Sequence, residues 1–488
     1  VSDLLPIAAL PSEAPIPRGT AVVLDEQAEF IDRDLLSGGS PWRLLRLTGP
    51  SRTVAEKWRG GGFVGAGEER FARTLVQQGL LHPQFKAKKA LKINTIDVVV
   101  PVFDNVETLS SYLDQFKGFH VTVADDGSID GDLVAECAKK HGAELVRLAT
   151  NSGPAAARNA AARVTSREFL WFIDVDVVIA DARATATTLL TNFGDPLVAA
   201  VAPRVSGVGG PTWRERFEVN FSPLDMGGRS ALVVPRGVVS YVPSACLMVR
   251  RSAFGEGFDE SFRVGEDVDL VWRLFDHGWL VRYDAEVVVK HHARSSWSEW
   301  WRQRREYGAS TGALAKRHGD RLALLRSDPW TLLAWTSALA GQPALGGRIV
   351  RSARNHSRER FFEKEDNPGH VADVVVARNM LRAGGPLARA VVRTFGIGVV
   401  LSALHPRLRR RALVLFAVGT AWRWRHHRLR VSDVPLAVAD DAAYGVGVVH
   451  GAWRSKTLRA LIPHVTKSTL KLSDVLGLPG ADGIVSLK

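Results

Sequence analysis

Two aspartates, Asp174 and Asp176, stand two residues apart in the run FLWFIDVDVVI (169–179). The run is apolar and rich in β-branched and aromatic residues, so it reads as a buried strand. On a strand that spacing puts both carboxylates on one face, where burial is costly without a counter-charge. The strand should therefore end here, in a site. Mg2+ or Mn2+ suits such a site, because each is held by one or two carboxylates and takes its other ligands from substrate phosphates. An isolated DxD is more commonly a solvated strand end or a cap. Other residues of chemical type recur at intervals, however: Asp125 and Asp126, Arg158, the trio Glu266, Asp267 and Asp269, and His291 with His292.

The elements that must position these groups follow from the pattern. From about residue 93 to 290 the chain alternates apolar strands (INTIDVVVPVF, HVTVADDGS, AELVRLA, FLWFIDVDVV) with helices (ETLSSYLDQF, GDLVAECAKKHG, AAARNAAARV). Near-continuous apolar strands separated by helices imply a mainly parallel, Rossmann-like sheet covered on both faces. Ligands of such sheets bind beyond the carboxyl ends of the strands. The polar groups fall there: Pro101, Phe103 and Asp104 after strand one, Asp125-Asp126-Gly127-Ser128 after strand two, Asn151-Ser152-Gly153-Pro154 before the helix of Arg158, and the DxD after strand four. An aromatic, acids, an arginine and a glycine turn on four strand ends describe a nucleotide site. Within this alternating region there is no GxGxxG and no Walker lysine, so the dinucleotide and P-loop readings lack their phosphate cradles there. Glu266, Asp267 and Asp269 open a helix, where the dipole favours acids whatever their role.

These motifs resemble the family 2 glycosyltransferases of the A-type fold over roughly residues 93 to 310. VVVPVFDN is similar to their opening strand, ADDGS to the nucleoside motif, NSGPAAARNAA to the next nucleotide segment, IDVDV to the metal motif and GEDVDLVWR to the catalytic-base motif. The resemblance implies an inverting, metal-dependent transferase using a UDP-sugar. It places Pro101 and Phe103 at the nucleotide, with Phe103 stacked on the base, and Asp126 at the uracil edge. Arg158 assists there, Asp174 meets the ribose, Asp176 and His291 hold the metal, and Asp267 is the base. His291 is preferred to His292 for its HxxR spacing to Arg294. The QxxRW motif of processive members is missing around Arg302, Arg304 and Arg305, which argues against long-chain polymerisation. Those arginines read as a basic helix face, with a role beside the diphosphate as the alternative.

The flanks resemble a narrower group, the family 2 enzymes that serve the mycofactocin system (LSGGSPWRLLRL, RQRREYGAS, DVPLAVADDAAYGVGVVHGAWR). That likeness implies transfer of a hexose, glucose, from UDP-glucose to a peptide-derived redox cofactor or its precursor. The expected domains are 1–90, a small winged-helix-like module similar to peptide-binding modules; 91–317, the catalytic domain; and 318–488, a helical region. Lys86 to Lys92 reads as a linker.

At 488 residues, with 46% hydrophobic and 24% charged residues, the chain has the composition of a globular protein. Its net charge of +13 attracts nucleic acid, anionic lipid or phosphorylated substrates. Aromatic residues do not interleave with the basic runs, and the segment EERFARTLVQQG is not a basic recognition helix, so no nucleic-acid partner is expected. Two cysteines, Cys137 and Cys246, provide no disulfide framework and fit a cytoplasmic setting as small buried groups. The opening residues have acids and prolines without a basic leader, so no secretory signal is expected. In the last third, apolar helical stretches, each below a clear twenty-residue span, are flanked by Arg407, Arg409, Arg410, Arg411 and Arg423. They suit either helices at the inner membrane surface or an ordinary packed domain. Two other readings are a transferase of cell-envelope polysaccharide or glycolipid synthesis and a non-enzymatic peptide-binding scaffold. Intact Asp174, Asp176 and Asp267 argue against the scaffold.

Overall fold

The computed structural model describes residues 14–85, 92–292, 296–427 and 430–468. The chain divides into two compact units, Val1–Glu29 with Leu36–Trp297, and Phe30–Leu35 with Ser298–Lys488.

The centre of the first unit is a nine-stranded sheet. Its strands are β1 (Ile96–Val102), β2 (His120–Asp125), β3 (Glu144–Arg147), β4 (Phe169–Ile173), β5 (Val177–Val178), β6 (Val198–Gly207), β7 (Ala231–Leu232), β8 (Cys246–Arg250) and β9 (Leu280–His291). The order is β5-β9-β6-β8-β4-β1-β2-β3, with β7 also paired to β9. The four strands read from the apolar alternation run parallel, as such fully buried strands require. Between β4 and β6 the chain inserts β8, antiparallel to both. That orientation brings the start of β8 to the edge where β1 to β4 end, with Cys246 opposite Ile173. β9 runs parallel to β6 and ends opposite Gly207, and its last residues pair with β5.

Local sequence explains the helix that matters most. Pro154–Val164 starts on a proline, whose missing N–H costs nothing in the first turn. It is preceded by Gly153 at φ +98°, a conformation other residues rarely adopt. Its alanines are buried and small, so the helix lies close on the sheet. Packing beneath the site comes from Phe172, Phe254 and Phe258, with ring centroids 5.2 to 5.6 Å apart. Burying each such ring contributes about 1.5–3 kcal/mol.

The amino-terminal residues, apart from Phe30–Leu35, belong to the same unit. Helices Gly49–Lys57 and Glu69–Gln77 accompany a three-stranded antiparallel sheet of Gly62–Phe63, Ala21–Leu24 and Leu81–Gln84. Two helices on a small sheet match part of the winged-helix expectation. The extra strands Leu35–Gly38 and Arg43–Arg46 do not belong to that pattern. Arg73 forms a bidentate ion pair with Asp195, 2.7 and 2.8 Å, and both are buried. The supposed linker lies almost wholly outside the described residues.

Within the second unit the described residues are almost entirely helical, including Trp297–His318, Gly384–Leu404, Arg409–His427 and Val434–Arg454. Gly308 and Gly312 meet Gly447 and Gly451 backbone to backbone. A Cβ at Gly447 would stand 2.0 Å from the Arg305 carbonyl oxygen. Beside this seam Arg304 is buried and donates to Asp440 at 2.8 Å. Arg423 reaches Asp440 at 3.0 Å, and Arg389 grips Asp441. Burial pushes Asp440 up, but Arg304 and Arg423 outweigh it and hold the carboxyl below its usual range. Arg302 and Arg305 are exposed, so of the three arginines only Arg304 departs from the basic-face reading.

Candidate active site

The site grows from one buried cation. Arg158, on the alanine-rich helix, donates to Asp174 Oδ1 at 2.5 Å and to Glu266 Oε1 at 3.0 Å. Its guanidinium also lies 5.6 Å from the centre of the Phe258 ring. Burial alone would lower its pKa; Asp174 and Glu266 outweigh this and raise it, so it stays charged. Asp174 is fixed through its backbone, which bonds Ala245 before β8 and accepts the Tyr112 hydroxyl at 2.8 Å.

Glu266 and Asp267 open the helix Glu266–Asp276 behind Gly265, which has φ +93°. Glu266 is buried, and burial, then the charge of Asp267, push its carboxyl up to about 7 against the pull of Arg158. Asp267 is half-buried and accepts N–H groups from Val268 at 2.8 Å and Ser244 at 3.3 Å. Burial raises it as well; those N–H bonds and Arg158 hold it back. The third acid, Asp269, is fully buried against Arg273 at 2.7 Å and serves the fold.

Glu266 makes stability depend on pH in a definite direction. Between its ordinary 4.5 and about 7 the folded chain keeps a proton that the unfolded chain has lost. This contribution is full below that window and is lost as pH rises through it. Glu266→Gln should therefore flatten the fall in Tm between those values. The check is thermal unfolding of parent and variant across the window; parallel curves would remove Glu266 as the titrating group.

The DxD turn leads into β5, where Val177 pairs with His291. This register sets Asp176 Oδ2 3.2 Å from His291 Nε2, and His292 N–H donates to the Asp176 carbonyl. Carboxylate oxygen and imidazole nitrogen are both donors for Mn2+ or Mg2+, and two protein ligands are enough when phosphates supply others. The pair fits a cation completed by substrate. Among the described residues no three His, Cys, Asp or Glu side chains gather as ligands. Arg294, the partner in the HxxR spacing, lies outside the described residues.

The ends of β1 to β3 form the other wall. Phe103 is 46% exposed, free to stack on a flat ring. Asp104, at φ 48°, accepts from Ile129 N–H, and its own N–H donates to Ser128 Oγ. Pro101 is half-buried within β1 opposite Ala124. Asp126 is buried and accepts N–H groups from Ser152 and Gly153, both at 2.8 Å. It therefore ties the ends of β2 and β3 together, and each oxygen keeps a lone pair for a ligand. Gly127, at φ +75°, has no room for a Cβ, which would meet the Thr150 carbonyl carbon at 2.7 Å.

Arg158, Asp174 and Asp267 thus share one network, and Asp176 pairs with His291. Phe103, Pro101 and Asp126 line the strand ends without a direct link to that network. Sequence reasoning did not assign Ser244, Tyr112 or the Arg158–Glu266 pair. The signal for Ser244 was its place just before an apolar strand, but only the antiparallel course of β8 carries it to this edge.

The family model described as glycosyl transferase family 2 matches residues 97–258, and glycosyl transferase family group 2 matches 180–353. A mannosyltransferase from Pyrobaculum calidifontis, solved with GDP-Man and Mn2+, covers 76% of this chain and 91% of its own. At 18% identity and a TM-score of 0.45 that likeness is too slight to support an assignment. An N-acetylglucosaminyltransferase of Bradyrhizobium diazoefficiens is 26% identical over 45% of this chain and 49% of its own. The pre-mycofactocin glycosyltransferase of Mycobacterium tuberculosis is 33% identical, covering 92% of this chain and 98% of its own. Similarity on that scale, spanning both units, shows that the chain is a glycosyltransferase belonging to glycosyl transferase family 2 and resembling the pre-mycofactocin enzyme.

Proposed function

We propose that the chain moves a hexose, glucose, from a UDP-sugar to a peptide-derived redox cofactor or its precursor, inverting the anomeric carbon. The observation that carries this reading is Asp267, seated at a helix N-terminus beside the Arg158 network at the same sheet edge as Asp176 and His291. The near full-length similarity to a pre-mycofactocin glycosyltransferase supports the acceptor class.

In this reading Asp267 removes the proton of the acceptor hydroxyl as its oxygen forms the new bond to the anomeric carbon and the bond to the diphosphate breaks. A single base with no protein nucleophile gives one displacement and hence inversion. Burial raises Asp267, which strengthens it as a base. Phe103 stacks on the base of the donor, and Asp126, which also braces the loop beside it, meets the uracil edge. Pro101 lies within the strand that leads to Phe103. Asp174, fixed by Arg158, meets the ribose. Asp176 and His291 would hold the divalent cation, which when bound neutralises charge on the leaving diphosphate.

The test is incubation of the full chain with UDP-glucose, Mn2+ and a peptide-derived acceptor, with mass spectrometry of the acceptor. Gain of one hexose supports the reading; donor use without acceptor gain counts against the acceptor class. A related prediction concerns Asp176→Ala. Transfer should fall to the level of the parent in excess chelator, and donor binding should weaken. Full activity of either would overturn the metal assignment.

The amino-terminal module is read as recruiting the peptide part of the acceptor, through a sheet edge or groove. Phe63, on an edge strand of its small sheet, is 63% exposed, which suits that role. Its ion pair through Arg73 favours point changes over deletion as the test, since removal would strand Asp195. We read the location as cytoplasmic, peripheral at the inner membrane surface, on the strength of the arginine-flanked apolar helices.

A further inference from the structure

One element of the second unit does not behave like part of a soluble core. The helical stretch Pro368–Leu404 is the one, among the described residues, long and apolar enough to cross a membrane. Its most apolar window has a mean hydropathy of 1.6, yet only 22% of that window is buried in the protein. A core helix of that composition would be mostly buried. Its last part, Gly384–Leu404, forms a hairpin with Arg409–His427, and Val434–Arg454 packs alongside.

These three helices enclose a partly open cavity of about 190 Å3. Val392, Phe416 and Val438 form apolar wall, and the paired Arg389, Arg423 and Asp441 close one end. Ile397, Val400 and Leu401 also line it, yet each is half or more exposed, so the mouth is an apolar rim. The helix is kinked at Phe395, and Gly396 follows with nothing within 4 Å of an added Cβ. A dry cavity of about 150 Å3 accepts a benzene-sized group, so this one has room for about six to eight carbons. At the hairpin turn Arg407, Arg409, Arg410 and Arg411 are all exposed, with Leu404 and Leu408 among them. At 1.5 Å per helical residue the helix ends about 5–10 Å beyond the rim residues, within the reach of an acyl chain that crosses half of a roughly 30 Å bilayer core.

We propose that the hairpin binds one anionic phospholipid, its phosphate among the turn arginines and one acyl chain running along the apolar rim into the cavity. Charge decides the occupant: four exposed arginines within the segment 407–411, of which Arg409 and Arg411 also donate to the Ala403 and Ala340 carbonyls, select a phosphate-bearing, net-negative head, and the apolar cavity selects a chain. This deepens the membrane-surface reading above and names the element and the lipid that act in it.

The experiment uses the full chain and vesicles of phosphatidylcholine with or without phosphatidylglycerol. Flotation tests the membrane reading; native mass spectrometry of protein exchanged with phosphatidylglycerol counts bound lipid. Gly396→Leu grows a side chain into the open space, and Val438→Phe fills the cavity from the facing helix, so one covers for the other if either fails to fold. Each should lower lipid retention about tenfold, the effect of roughly two methylene transfers, while salt-sensitive flotation persists. Changing all four turn arginines to Gln should abolish the preference for phosphatidylglycerol. Lipid retention unchanged in both cavity variants would overturn the chain site. Equal retention of the two lipids would overturn the headgroup site. Absence of flotation with lipid still retained would overturn the membrane reading alone, and absence of both would overturn the proposal with it.

Discussion

Asp267→Asn should bind the donor as the parent does and transfer about 10²–10⁴-fold more slowly, the usual loss when a general base is removed. The substitution keeps size and one acceptor oxygen, so a backbone N–H bond from Val268 or Ser244 survives. It removes the function proposed for the half-buried carboxylate: acceptance of a proton. The raised pKa of Asp267 follows from burial and makes it a stronger base than a surface aspartate. Turnover and donor affinity must be measured together, because a fall in both would point to a damaged donor site. Near-normal turnover would remove Asp267 from the chemistry and turn attention to Glu266.

Arg158→Met should destabilise the first unit by about 3–5 kcal/mol, the usual effect of removing one partner from buried ions. Two carboxylates depend on this guanidinium, Asp174 at 2.5 Å and Glu266 at 3.0 Å. Glu266 can take up a proton near neutrality, which relieves part of the loss. Adding Glu266→Gln to Arg158→Met should therefore recover stability that neither change provides alone. For a unit of this size the single change corresponds to a fall of roughly 5–8 °C in Tm. Calorimetry of the two single variants and the double variant would show it; a single variant melting with the parent would mean that the ion network is not structural.

Much of this site was legible because its parts obey short-range rules. Continuous apolar strands must be buried, buried parallel strands end in loops at one edge, and polar residues at those ends become a site. Hence Asp174, Asp176 and Arg158 could be named before any geometry, whereas Asp267, at a helix N-terminus, was singled out only by the resemblance of GEDVDLVWR to the family's catalytic-base motif. The rest depends on distant partners. Arg158 and Glu266 are 108 residues apart, and only the insertion of antiparallel β8 and the next helix brings them together. Asp126 looked like a ligand group, and its brace to Ser152 and Gly153 depends on how two loops meet. Arg304 looked like one of three surface charges; its partner Asp440 lies 136 residues later, across a seam of glycines. The helical stretch to Leu404 looked short and interrupted, because proline and glycine break the apolar pattern. The chain nevertheless carries helix through both.

The most direct test of the central claim is the configuration of the product. UDP-glucose carries its sugar in the α configuration, and one displacement assisted by Asp267 must invert it. Proton NMR of the glycosylated acceptor should show a β-linked hexose as the first product, formed by the parent and lost in Asp267→Asn. An α-linked product, or one formed equally well without the Asp267 carboxylate, would contradict the single-displacement mechanism.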